Sequence, residues 1–261
     1  IEVKEATVID KKDLHLSSGW FDPFVSFGEP GYEERETLVN GLLTAAKSGF
    51  THIVLNPDTH PALDSLTDVS HLLQQSQGLT TLLHISASLS VASKGENLAP
   101  LFEMHKAGAI AFGDFNITLK NPNLLRIGLD YVQSFDGLIQ AYPLDSNLSN
   151  GGQMREGEVS TNLGLKAIPH IAETSTLARD IQLLEYTHGQ MHIPYISTAE
   201  SVELIRNAKK KGLQISCGVA VAHLHATEED LVDFDANFKI TPPLRSSKDQ
   251  RALREGLLDG T

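Results

Sequence analysis

Cysteine is almost absent: Cys217 is the single one in 261 residues. No internal disulfide can form, which points to a reducing compartment, the cytoplasm. Long apolar runs are missing too. None approaches the roughly 18 residues that a membrane-spanning helix needs. The opening stretch, IEVKEATVIDKKDLHL, mixes charges with apolar positions and does not read as a signal peptide. Positive charge is scarce: 21 Lys and Arg stand against 33 Asp and Glu, a net charge of −12. A surface that negative repels nucleic acid and anionic membranes, so neither is expected as a partner. There is no internal repeat, no low-complexity stretch and no starting Met. The chain opens inside a β-type pattern and stops just after a helix-like segment, so both ends read as incomplete.

Short apolar runs alternate with longer amphipathic stretches. Strands are expected at Gly19–Phe27, His52–Asn56, Thr80–Ile85, Ala109–Gly113, Leu138–Tyr142, Met191–Ile196 and Leu213–Val219. Helices are expected at Tyr32–Ser48, Leu98–Lys106, Asn123–Ser134, Thr174–Thr187, Ala199–Lys211 and Ser247–Leu258. Asn147–Glu156, rich in Gly and Asn, reads as a loop. Strands followed by helices make a parallel α/β fold. No GxGxxG follows the first strand, so the dinucleotide-binding doubly wound sheet loses support. Even spacing favours a (β/α)8 TIM-type barrel, with the eighth strand expected beyond Thr261. The division expected is 1–12 as part of a small β-domain and 13–261 as the barrel.

In such barrels the chemistry sits at the C-terminal ends of the strands and in the loops that follow. Those segments, and others along the chain, carry a family signature. They include EPGYEERET (Glu29–Thr37), AGAIAF (Ala107–Phe112), MREGEVSTNLGLKAIPHIAE (Met154–Glu173) and ARDIQLLE (Ala178–Glu185). ISTAESVELIRNAKKKGL (Ile196–Leu213) and NFKITPPLRSSKDQRALREGLLDGT (Asn237–Thr261) continue it. Together they resemble, in order and over nearly the whole chain, the dihydroorotases of the amidohydrolase superfamily, the type found in multienzyme pyrimidine complexes. The resemblance implies a TIM-type barrel with remnants of a small β-domain at the chain ends. It also implies a zinc-dependent cyclic amidohydrolase acting on carbamoyl aspartate and dihydroorotate.

The family's reacting residues are replaced here. Its first strand carries Asp-x-His-x-His, whose imidazoles bind zinc, and then a substrate-binding Arg. At those places stand Asp22, Phe24, Ser26 and Gly28. The family's substrate-holding Asn after the second strand matches Asp58, and its metal-binding His residues on the fifth and sixth strands match Tyr142 and Tyr195. Its substrate-contacting Asn before Pro-Pro-Leu-Arg matches Thr241, and of its adjacent acidic pair only Asp114 remains. The family's last metal-binding Asp belongs to the eighth strand. A phenyl ring cannot coordinate a metal, and Ser is a poor ligand beside imidazole. The expectation is therefore a non-catalytic homologue with no catalytic residues and no bound metal, whose vestigial pocket is made of these nine residues. As the resemblance implies, it would serve as a scaffold for aspartate transcarbamoylase and form a homo-oligomer. The alternative is an active zinc enzyme, or a sensor that uses the emptied pocket.

Other polar residues have plainer readings. Asp22 is expected to be a hydrogen-bonded structural acid and Asp114 a loop cap. Asp58 and His60 belong to turn chemistry. His192 is expected to face the helix layer, opposite Tyr195. His223 and His225, at strand-like spacing, could imitate His-x-His. Cys217 is expected as a small buried hydrophobe.

Overall fold

The structure, a computed structural model, describes residues 11–261. The strand expected within residues 1–10 lies outside the described residues. Seven strands form one parallel sheet: β1 (Trp20–Val25), β2 (Phe50–Leu55), β3 (Leu82–Ala87), β4 (Ala109–Phe112), β5 (Leu138–Gln140), β6 (Gln190–Ile193) and β7 (Gln214–Cys217). Spatial order follows chain order, and β1 and β7 are the two edges. Every adjacent pair is parallel. Parallel neighbours need crossover helices, and a sequential order puts those helices on one face of the sheet.

Those crossovers include α1 (Leu38–Lys47), α2 (Leu66–Gln75), α3 (Leu101–Ala107), α4 (Pro122–Val132), α5 (Ile171–Thr187) and α6 (Ala199–Lys210); α7 (Ser247–Leu258) follows β7. Alternate strand residues such as Ile53, Leu55, Ile85, Ile139, Met191 and Ile193 join Leu42, Leu72, Met104, Leu125, Leu184 and Ile205 of the helices in one buried cluster. Burying each such side chain stabilises the fold by about 1.5–3 kcal/mol. The opposite sheet face is polar: His52 and His84 lie 3.0 Å apart, Ser86 donates to Gln140 at 2.7 Å, and His192 meets Ser216 at 2.8 Å. Among the described residues, no helix is long and apolar enough to cross a membrane.

All seven strands stand where the apolar runs predict them. The longer helices differ most in two places. The first begins at Leu38 rather than Tyr32, because Thr37 caps it and the Glu29 carboxylate accepts from the Leu38 N–H at 2.6 Å. Residues 32–36 are thereby left as a loop at the mouth. The second, α2, has no counterpart in the sequence reading, although Ser65 caps it through the Asp68 N–H. Gly108 ends α3 in the left-handed region at φ +112°, as its position after the helix suggests. The Asn147–Glu156 segment is a loop only in part. Residues 146–149 make a helical turn, and Met154–Arg155 pairs in parallel with Ala167–Ile168.

Candidate functional site

The mouth is built from the chain as it leaves each strand. In β1, Oδ1 of Asp22 accepts the Phe24 N–H at 3.0 Å. The Phe24 ring stacks on Phe115 with centroids 5.2 Å apart, and Tyr195 meets it edge-on at 4.8 Å. Phe115 reaches this position because its backbone is left-handed, at φ +55°. The residue before it is pinned. Asp114 is buried and accepts from the Ser90 N–H at 3.0 Å and the Ser90 hydroxyl at 2.5 Å. Burial raises its pKa, and the Ser90 hydrogen bonds work against that shift. Asp114 thus holds the Ser90 backbone and hydroxyl together.

Ser26 donates to the carboxylate of Asp58. Arg35 lies 3.6 Å from the same carboxylate, and its guanidinium sits 4.6 Å above the Tyr32 ring. Gly28 lies close beside Arg35. At φ +119°, a Cβ there would stand 3.0 Å from the Arg35 Nε and 2.7 Å from the Tyr32 carbonyl oxygen. The expected loss of a guanidinium from the mouth is therefore corrected in part: position 28 has none, but Arg35 approaches from the following loop. Its charge is engaged by Asp58 and the Tyr32 face. Asp58 is held by Ser26 and Arg35.

Tyr142 and Tyr195 stand at the ends of β5 and β6. Tyr142 is buried in a small cluster with Leu144, Ile168 and Ala172, against which Tyr195 packs. Its hydroxyl has no hydrogen-bond partner among the described residues. Burial, and then the nearby Glu173 charge, raise its pKa above the ordinary phenol value. Burial, with Asp22 adding to it, pushes Tyr195 up to about 12. Both are neutral phenols at neutral pH, and neither offers the anionic oxygen that would suit a divalent cation. The residues present do not fit zinc. Among the described residues, no three His, Cys, Asp or Glu side chains gather in a way that could hold a metal ion.

Phe24, Ser26, Tyr195 and Thr241 converge on a cavity of about 290 Å3, whose lining also includes Phe115, Asn116, His223 and Ile240. Asp58 and Asp114 border a neighbouring cleft of about 560 Å3. Phe115 and Arg35 are mouth residues that sequence reasoning did not assign. The frame around them is a buried ion pair between Arg245 and Glu173, 3.5 Å apart. Glu173 also accepts from the Ser197 and Thr198 N–H groups and the Ser201 hydroxyl. Arg245 donates to the Ser197 hydroxyl at 2.9 Å. Three mouth segments are tied together by this one network.

Two histidine expectations are corrected. His192 does not face the helix layer. Met191 and Ile193 do so, and strand alternation turns His192 to the opposite, polar face beside Ser216. The strand stops at Ile193, so the alternation count to Tyr195 does not apply. Burial lowers the His192 pKa to about 4. His223 and His225 lie on a helical turn, Val221–His225, not on a strand. Two residues apart on a helix, they diverge: His223 is buried and His225 is exposed. Cys217 is partly buried, and burial pushes its thiol up to about 11, which keeps it unreactive.

The dihydro-orotase-like family profile matches residues 16–201. The chain is 41% identical over 258 residues to a dihydroorotase of Pelotomaculum thermopropionicum, covering 98% of this chain and 60% of that protein. It is 35% identical to a dihydroorotase of Deinococcus radiodurans, covering 98% and 62%. It thus spans about three fifths of the length of the curated relatives it matches. Among solved structures, the L-hydantoinase (dihydropyrimidinase) from Arthrobacter aurescens superposes with a TM-score of 0.78 at 20% identity, covering 93% of this chain and 56% of that one. The dihydroorotase from Saccharomyces cerevisiae in complex with 5-fluoroorotic acid gives 0.68 at 16% identity, covering 94% and 68%. At that identity these structures speak for the fold alone, a parallel α/β barrel. The sequence matches go further: the chain belongs to the dihydroorotase-like family.

Proposed function

We propose that this chain is a non-catalytic member of its family, kept in pyrimidine biosynthesis for what its barrel holds rather than for hydrolysis. One observation carries the reading. Where the family resemblance expects four imidazoles stand Phe24, Ser26, Tyr142 and Tyr195, and two of them are packed together in an aromatic cluster. Hydrolysis of a cyclic amide in this family draws its nucleophile from metal-bound water. A mouth of phenyl, hydroxyl and neutral phenol groups cannot supply it. The buried Arg245–Glu173 frame meanwhile keeps the loops in place, as a protein selected for its surface would.

Aspartate transcarbamoylase is the partner proposed for that surface, in a cytoplasmic assembly that includes further copies of this chain. The second reading is an active zinc-dependent enzyme; the names of the relatives favour it. The two separate in one experiment. The chain is purified from cells supplied with zinc and assayed for ring closure of carbamoyl aspartate, and the copurifying proteins are identified. The proposal expects no turnover and a copurifying transcarbamoylase. Metal-dependent turnover overturns it.

A further inference from the structure

Asn is followed by Gly twice in the chain, at Asn40–Gly41 and at Asn150–Gly151. The pairing matters chemically. The Asn amide carbon, Cγ, is one ring closure away from the next backbone nitrogen, and a following Gly has no Cβ to shield that nitrogen. Closure requires the peptide unit after Asn to turn about ψ until nitrogen meets Cγ. Both Asn residues are exposed, so exposure does not separate the two sites. The backbone does. Asn40 lies in α1, where the Gly41 N–H donates to the Thr37 carbonyl at 2.9 Å. Asn40 Nδ2 donates to the Glu36 carboxylate, also at 2.9 Å. Gly41 is buried, and a Cβ there would stand 2.6 Å from the Phe27 ring. Turning this peptide would break the first turn of the helix. Asn150 instead ends the helical turn 146–149 in the left-handed region, at φ +37° and ψ +47°. The Gly151 N–H makes no hydrogen bond among the described residues. A Cβ on Gly151 would meet nothing within 4 Å. The turn bond that must open is the one from the Gly152 N–H to the Ser149 carbonyl, at 2.7 Å.

We propose that Asn150 is a self-modification site, at which the folded chain deamidates with water as the only co-reactant, while the same dipeptide at Asn40 is protected. Hydroxide removes the Gly151 amide proton, and the nitrogen bonds to Cγ of Asn150. The Cγ–Nδ2 bond breaks, and ammonia leaves with a proton from water, which regenerates the hydroxide. A second water opens the five-membered imide at one carbonyl or the other, leaving aspartate or isoaspartate at position 150. The sum is amide plus water to carboxylic acid plus ammonia, with nothing oxidised or reduced. The product carries one more negative charge in the segment that follows β5. The iso form also adds a methylene to the main chain just before Gly152. That residue is tightly seated: a Cβ on it would stand 2.4 Å from the Ile168 side chain. The added length therefore falls beside the pairing of Met154–Arg155 with Ala167–Ile168.

The test is incubation of the purified chain for days at physiological temperature, in neutral and in mildly alkaline buffer. Peptide-mapping mass spectrometry follows the two Asn-Gly peptides side by side, and fragmentation separates aspartate from isoaspartate. Asn150 is expected to convert to a mixture of both, faster in the alkaline buffer. Asn40 is expected to convert about tenfold more slowly or less, because two hydrogen bonds must break before its ring can close. A parallel sample in urea, unfolded throughout, supplies the control: without the fold the two rates should converge. Asn150→Gln should abolish the change at position 150 and leave Asn40 as it was. The two-site comparison needs no variant, so it stands even if that one fails to fold. An Asn150 that keeps its amide in the folded chain while the unfolded chain loses it overturns the proposal. So do equal rates at both sites in the folded chain, or an Asn40 that stays slow in urea.

Discussion

Replacing Phe24 and Ser26 together by histidine returns imidazoles to two of the four altered positions. The structure sets what this should do. Phe24 makes two aromatic contacts, with Phe115 and Tyr195. Each is worth about 0.5–1.5 kcal/mol beyond simple burial, so their loss costs about 1–3 kcal/mol. At about 2–4 °C per kcal/mol for a chain of this size, the melting temperature should fall by about 2–12 °C. The Ser26 change also removes a hydrogen bond to Asp58 and leaves that carboxylate to Arg35. Zinc should gain little, because a closed site needs about four donors. Tyr142 and Tyr195 remain neutral phenols, and Asp114 stays committed to Ser90. The assay pairs thermal melting with a zinc isotherm against a competing chelator. An unchanged melting temperature would refute the aromatic packing argument. Stoichiometric zinc with ring-closing activity would refute the reading of the fifth and sixth strands.

Other variants probe the frame and the polar interior. Arg245→Met leaves the Glu173 carboxylate buried without its cation, at a cost of about 3–5 kcal/mol. Its melting temperature should fall by about 6–20 °C, and adding Glu173→Gln should restore part of the loss. Asp114→Ala strands the Ser90 N–H and hydroxyl, for a loss of about 1–3 kcal/mol; under the proposed scaffold role, capture of transcarbamoylase in a pull-down is unchanged. His192 gives a pH signature. The fold holds its ring neutral, with the pKa lowered from 6.5 to about 4. As pH falls through that window only the unfolded chain takes up the proton, so up to about 3 kcal/mol of stability is lost between those values. His192→Gln lacks that slope. The wild-type minus variant difference in urea unfolding cancels other titrations, such as that of buried Asp180, pushed up to about 6.

The strands were legible because each buries an apolar run against the helices, and runs such as His52–Asn56 carry that fact locally. Helix α2 was less so. Its HLLQQ end is half polar, and only Ser65 with Asp68 three residues on marked its start. The replaced ligand positions were readable from the motif frame alone. What surrounds them was not, because it depends on contacts distant in sequence. Phe115 enters the cluster from a left-handed backbone, and Arg35 comes to Asp58 from a loop nine residues after Ser26. Alternation misplaced His192 because Pro194 lies beyond the end of its strand. Spacing misread His223 and His225 because a helical turn, not a strand, carries them.

The most direct measurement of the central claim is elemental analysis of the chain, purified from zinc- and manganese-supplemented medium and dialysed without chelator. An aromatic and hydroxyl mouth predicts well below one transition-metal ion per chain. One or two tightly held ions per chain, released only together with a change in Tyr142 or Tyr195 absorbance, would contradict it.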